Sequence, residues 1–143
     1  MSEPLRQYKF EVRIDHHEHP DALFTEVSGL GGEIEFEEYK EGGVNDFVHK
    51  LPTMAKYNNL ILKAGLTTND LFYRWFEEIA RGNTDLRTVE INLLDLKNSD
   101  SVLKSWTFHN AYPVKISQTD LNAQTNGIMI DTIELAHTGM EIK

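Results

Sequence analysis

Apolar and polar residues alternate strictly near the start of the chain. In "YKFEVRID", Tyr8, Phe10, Val12 and Ile14 fall on one face, with Lys9, Glu11, Arg13 and Asp15 on the other. That two-residue period predicts a half-buried strand. "HHEHPD" then turns the chain, and Pro20 prevents further pairing there. "ALFTEVSGL" and "GEIEFEEYK" predict a second and a third strand, separated by Gly31 and Gly32. In the third, Ile34 and Phe36 share a face while Glu33, Glu35 and Glu37 line the other. "YNNLILKAG" predicts a fourth, with Leu60 and Leu62 inward and Gly65 ending it.

The period changes once. In "TTNDLFYRWFEEIARG", Leu71, Phe72, Trp75, Phe76 and Ile79 form one apolar face of a helix, about three turns long. Thr68 or Asn69 is placed to cap its start, Asp70 suits the positive helix end, and Gly82 suits the stop. The aromatic face must cover an open end or face of the sheet. Alternation then returns in "LRTVEINLLD", through Val89, Ile91 and Leu93, and in "SVLKSWTFHN", with Val102, Trp106 and Phe108 on one face. "YPVKISQTDL" and "GIMIDTIELAHTGMEI" complete the set around the polar "NAQTNG" turn, which contains Asn-Gly. The pattern predicts a mainly β domain over residues 1–143, a small barrel or sandwich of about eight strands with one flanking helix.

Between the third and fourth strands lies "EYKEGGVNDFVHKLPTMAKY", which shows no hydrophobic period yet carries Phe47, Val48, Leu51 and Met54. Structureless loops beyond ~12–15 residues are uncommon in compact domains and are usually functional or disordered. Ordering this much backbone costs more than burying four apolar side chains returns. The segment is therefore expected to be a long extended inter-strand loop, an arm that folds onto a neighbouring molecule.

Composition narrows the function. At 143 residues the chain suits one domain with one core, and no run approaches the eighteen or so apolar residues of a membrane helix. The N-terminus lacks a secretory h-region, and without cysteine there is no disulfide framework or thiolate metal site. Synthesis and folding in the cytoplasm are expected, with no membrane insertion. The formal charge is −9 with no basic block, which disfavours tight nucleic-acid binding.

Candidate chemistry is sparse. His16, His17, Glu18 and His19 are adjacent on a turn, where side chains diverge rather than converge tetrahedrally on zinc, so a solvated turn is the expectation and no metal is assigned. Glu33, Glu35, Glu37 and Glu38 lack the split environments that acid/base carboxylates need. "GLGGE" follows no strand–helix phosphate fingerprint, and His109 and His137 sit singly on strands. No catalytic residue and no cofactor are assigned. The chain is not expected to be an enzyme.

"EVSGLGGEIEFEEYKEGGVNDFVHKLPTMAKYNNLILKAG", the helix with Trp75 and "WTFHNAYPVKI" together resemble the tube proteins of contractile phage tails and of phage-derived contractile injection systems. The type VI secretion tube is more distantly similar. The resemblance runs from Tyr8 to about His137. Its most specific parts are Val27-Ser28-Gly29-Leu30, Glu38-Tyr39 with Glu41-Gly42-Gly43, Lys50-Leu51-Pro52, Lys56-Tyr57 and Asn110-Ala111-Tyr112-Pro113. Thr53 and Tyr112 depart from the family pattern, where glycine and tryptophan are common.

The resemblance implies a self-assembling structural subunit: six copies in a ring, rings stacked into an inner tube that conducts DNA or other cargo within a sheath. Its implied partners are its own copies, the sheath protein, and the baseplate or tube-initiator and tail-terminator proteins, in a phage tail or phage-tail-like particle. It also implies that the long loop reaches a neighbouring subunit. Glu41, Gly42, Gly43, Asn45, Phe47, Val48, Lys50, Leu51, Pro52 and Met54 are the candidate interface arm. Glu33, Glu35 and Glu37 are candidates for lining the lumen, with an outer face toward the sheath as the other placement. A tube-initiator or adaptor ring shares this fold and is the alternative role. A monomeric β-barrel that binds a ligand in an apolar cavity is a third.

Overall fold

Segments with one apolar face must bury it, and here they do so by closing on themselves. The computed structural model describes residues 9–40, 48–98, 101–120 and 127–143. Its strands are β1 (Phe10–Ile14), β2 (Ala22–Ser28), β3 (Gly32–Lys40), β4 (Val48–Tyr57), β5 (Leu60–Thr67), β6 (Arg87–Asp95), β7 (Ser101–Asp120), β8 (Ile128–Ala136) and β9 (Gly139–Ile142). The helix, α1, spans Leu71–Ala80. The main sheet runs β6-β1-β2-β5-β8-β7-β9, and the β6–β7 pairing closes six of these strands into a barrel. Closure removes most of the open edges that a flat sheet would expose. Inside are Val12, Ile14, Phe24, Leu60, Leu62, Val89, Ile91, Phe108, Ile130, Ile133 and Leu135, all fully buried.

The helix lies against β7. Phe72 and Trp75 are buried, and Phe72 meets Phe24 edge to face with ring centroids 6.5 Å apart. At the helix start Asp70 is the N-cap residue but makes no side-chain cap bond. The Asn69 carboxamide instead accepts from the Leu71 N–H at 2.9 Å. The C-terminus is a Schellman stop: Gly82 adopts φ +89°, its N–H donates to the Ile79 carbonyl, and the Asn83 N–H donates to that of Glu78.

Several expectations change. Gly65 lies within β5 rather than ending it, because it faces Phe24; a Cβ there would lie 2.2 Å from that ring. "SVLKSWTFHN" and "YPVKISQTDL" form one strand, β7, pairing first with β6 and then with β8. Asn110 at φ +53° and the register shift between Pro113 and Lys115 let the strand bend without ending; asparagine tolerates that left-handed backbone better than most residues. "GIMIDTIELAHTGMEI" divides into β8 and β9 at His137–Thr138. Both pieces pair with β7. Val102 is 50% exposed, not inward. The shift between Leu93 and Leu94 changes the register, pairs Leu94 with Val102, and buries Leu94 instead.

The outward side of β1 and β6 is drier than alternation alone predicts. Glu11, read as solvent-facing, is 7% exposed. Its Oε1 accepts from Asn92 Nδ2 at 2.8 Å and from Arg13 Nε at 3.0 Å. Ser105 donates to Asn92 Oδ1 from the next strand. A buried carboxylate is tolerated when its lone pairs find donors in this way.

Candidate subunit interface

The segment read as an irregular loop is mostly a strand. β3 and β4 form a separate two-stranded ribbon, paired from Gly32 opposite Tyr57 out to Lys40 opposite Val48. The expectation of a stretch without regular structure fails from Val48 onward, where the β3–β4 ladder pairs the backbone and offsets the ordering cost that the side chains alone do not meet. One residue, Thr53, is extra between the Glu35–Met54 and Phe36–Pro52 pairs. A bulge suits that point, since Pro52 has no N–H to donate.

Of the candidate arm residues, Val48, Lys50, Leu51, Pro52 and Met54 fall on β4. Glu41, Gly42, Gly43, Asn45 and Phe47 lie outside the described residues. Glu33, Glu35 and Glu37 alternate along β3. Lys56 reaches across from β4 to Glu35 at 2.6 Å, and the hydrogen bond to that carboxylate, with its charge, raises the Lys56 pKa.

The other face of the ribbon is apolar near its root. Ile34 and Phe36 alternate with the glutamates, and Tyr57 and Ala55 stand opposite Gly32 and Ile34. Ile34 is 57% and Phe36 49% exposed. A two-stranded ribbon with an exposed apolar face is marginal by itself, and contiguous exposed apolar surface marks an interaction site.

The root of the ribbon is closely packed. Gly29 adopts φ +84°, and a Cβ added to it would lie 1.9 Å from the Asn59 carbonyl oxygen. The Asn58 N–H donates to the Gly31 carbonyl at 3.0 Å. His137, in the break between β8 and β9, braces the same point. Its Nε2 donates to the Asn58 carbonyl at 3.1 Å. Its ring lies 5.5 Å from Tyr57 and packs edge to face on Phe108 at 4.9 Å.

Burial pushes the His137 imidazole below its ordinary value, against the opposing pull of the Asn58 carbonyl. The unfolded chain therefore holds that proton more tightly than the folded one. The stabilisation is present above the unfolded value of about 6.5 and is lost as pH falls through the folded value. Unfolding measured at intervals between about pH 7.5 and about pH 5 should show wild type losing more stability on acidification than His137→Gln, which cannot titrate. Parallel curves for the two proteins would remove His137 as the cause.

The remaining sequence candidates scatter. His16, His17, Glu18 and His19 are exposed on the β1–β2 turn. His16 Nδ1 lies 3.2 Å from Glu90 Oε1, and His17 Nδ1 lies 2.9 Å from Asp21 Oδ1. His109 Nε2 lies 3.3 Å from Glu141 Oε1, without hydrogen-bond alignment. Among the described residues no three histidines or carboxylates are grouped to hold a metal ion. Nor is any described helix long and apolar enough to cross a membrane. Sequence reasoning missed the ribbon's root, where Gly29, Asn59 and His137 meet. The signal that could have found it is the left-handed preference of the glycine ending "VSG".

A barrel carrying a projecting two-faced ribbon has known counterparts. The family model for the T4-like virus tail tube protein gp19 matches residues 6–141. The chain belongs to this tail tube family. A chain in the anti-feeding prophage baseplate, determined with six-fold symmetry imposed, is 26% identical with a TM-score of 0.67, over 100% of this chain and 97% of that one. A chain of the PVC extracellular contractile injection system, in its extended sheath–tube complex, is 20% identical at the same TM-score, over 100% and 99%. Hcp1 from Flavobacterium johnsoniae shares the fold more distantly, at 12% identity and a TM-score of 0.51, over 94% of each chain. No curated protein sequence matches significantly. The family is one of structural tube proteins, so the tail-tube subunit's surface, rather than a pocket, carries its work.

Proposed function

We propose that this chain is the repeating subunit of the inner tube of a contractile tail or injection system. Copies join head to tail in six-membered rings, and rings stack into a conduit enclosed by a sheath and bounded by baseplate and terminator proteins. Assembly takes place in the cytoplasm where the chain is made, and the chain itself catalyses nothing. The observation that carries this reading is the β3–β4 ribbon, a sheet separate from the barrel with Ile34 57% exposed, in a chain that the tail tube family model matches almost from end to end. Two different surfaces meeting head to tail close into a ring when the rotation divides a full turn. The Glu33, Glu35 and Glu37 stripe then faces either the lumen or the outer wall, and in the lumen it would repel phosphate within a Debye length of ~8 Å.

The test is electron microscopy and sedimentation of the purified chain at high concentration, with Ile34→Glu beside wild type. Wild type should form annuli or tubes. The variant should keep the monomer's stability within about 0.5 kcal/mol, since the side chain is exposed. It should raise the concentration needed for assembly by about tenfold or more, because one apolar side chain is worth roughly 1.5–3 kcal/mol when buried. Equal assembly by both proteins would remove the ribbon from the interface. An initiator or adaptor ring remains the second reading, favoured by the similarity to a chain of a baseplate; one ring per particle, rather than many, would distinguish it.

A further inference from the structure

The described ribbon pairs with no strand of the barrel, which leaves its attachment to contacts other than a ladder. His137 supplies such a contact from the break between β8 and β9. Its ring lies 5.5 Å from that of Tyr57, the last residue of β4, and its Nε2 donates to the carbonyl of the next residue, Asn58. The Asn58 N–H in turn donates to the carbonyl of Gly31, just before β3. One imidazole therefore joins both chain passages at the root to Phe108, in the barrel core.

With Nε2 carrying the hydrogen, an added proton must go to Nδ1. That atom is sealed from solvent and has no hydrogen-bond partner among the described residues. A cation there loses hydration without full replacement. The Asn58 and Gly139 carbonyls reduce the cost, but burial outweighs them and holds the imidazole below its ordinary range. The other titratable groups at this point offer no comparable release. His109, opposite Gly139 on β7, would on protonation meet the Glu141 carboxylate 3.3 Å away. Glu134 of β8 accepts from Asn59 at 2.8 Å and stands opposite Lys115. Tyr57 meets His137 through its ring.

We propose that His137 is a proton-operated latch on the ribbon: neutral, it clasps Tyr57 and Asn58 to Phe108, and protonated, it turns out to water and frees the root. Once released, the ring regains its ordinary affinity for protons, so acid favours the open state. Between about pH 7.5 and about pH 5 the gain in opening is capped near thirtyfold, the ratio set by an unperturbed value of about 6.5. A freed ribbon no longer holds Ile34 in a fixed place, so assembly should need more protein in acid. That consequence rests on the assembly reading above, whereas the latch does not.

Amide hydrogen exchange on the whole chain, kept dilute, reads ribbon opening once the intrinsic pH dependence of exchange is removed. In wild type the β3–β4 amides should exchange ahead of the barrel amides of β1 and β6. Their opening should rise by about three- to thirtyfold from about pH 7.5 to about pH 5. His137→Gln cannot take the proton but can still donate to Asn58, so its ribbon opening should change by less than about twofold. His109→Gln should keep the wild-type response. Opening that is independent of pH in wild type, equally steep in His137→Gln or lost in His109→Gln would overturn the latch. So would ribbon amides that exchange no faster than those of the barrel. The protein concentration needed for rings, measured at both pH values, should rise several-fold more in wild type than in His137→Gln, and equal rises would overturn the link to assembly. Rings absent at every pH, with the ribbon response intact, would remove the assembly reading and leave the latch standing.

Discussion

Gly29→Ala should cost this protein at least about 3 kcal/mol, a large share of the 5–15 kcal/mol that holds a domain of this size folded. Two effects add at the position. The backbone stands at φ +84°, which costs a residue with a Cβ roughly 1–2 kcal/mol. The Cβ itself would lie 1.9 Å from the Asn59 oxygen and 2.9 Å from its carbonyl carbon. Both are backbone atoms, so no side chain can swing aside, and the ribbon root must move. Gly82→Ala separates the two effects. It shares the left-handed backbone, at φ +89°, but a Cβ there meets nothing within 4 Å, so only about 1 kcal/mol should be lost. Urea unfolding of the two variants gives the comparison. Equal losses would show that the close approach to Asn59 carries no weight.

Trp75→Ala should cost about 3–5 kcal/mol. The side chain is 1% exposed and fills the space between α1 and the barrel. Its indole N–H donates to the Asp85 carbonyl at 2.6 Å, and the Arg87 guanidinium lies 5.5 Å from the ring centre. Removal opens a cavity, orphans that carbonyl and frees the helix from the strand that follows it. Trp75→Phe keeps most of the volume and loses the hydrogen bond, so it should cost roughly 1–2 kcal/mol. Chemical denaturation followed by far-UV circular dichroism would order the two. A loss below about 1 kcal/mol for Trp75→Ala would mean that α1 is not anchored through this residue.

Most of the barrel was legible because its strands bury one face. Alternation through Val12 and Ile14, or Val89 and Ile91, marks a strand whose inner residues are fully buried in the structure. The helix was legible from Phe72 and Trp75 at helical spacing. The ribbon was half legible. β3 alternates and was read as a strand, but β4 contains Pro52 and a bulge at Thr53. These break the period, and neither strand of the ribbon lies in the barrel to restore it. The break at His137 was also hidden, since β8 and β9 lie in line on β7 and a single run of apolar residues feeds both.

The residues of the candidate interface were found by a different signal. Apolar side chains in an unpatterned stretch marked Phe47, Val48, Leu51 and Met54 as candidates.

The sequence by itself determined the mainly β class, the single helix, the absence of a cysteine framework and the similarity to tail tubes. Each of these depends on local period, composition or residues close together in the chain. Tertiary structure decided what depends on register and closure. The β6–β7 pairing turned a sheet into a barrel, and the shift at Leu93–Leu94 moved Val102 outward. Tertiary structure also brought Gly29 close against the Asn59 carbonyl. Period-two alternation says that a strand has two faces. Which face is dry is settled only when the neighbouring strands are in place, and on the separate ribbon Ile34 stays 57% exposed.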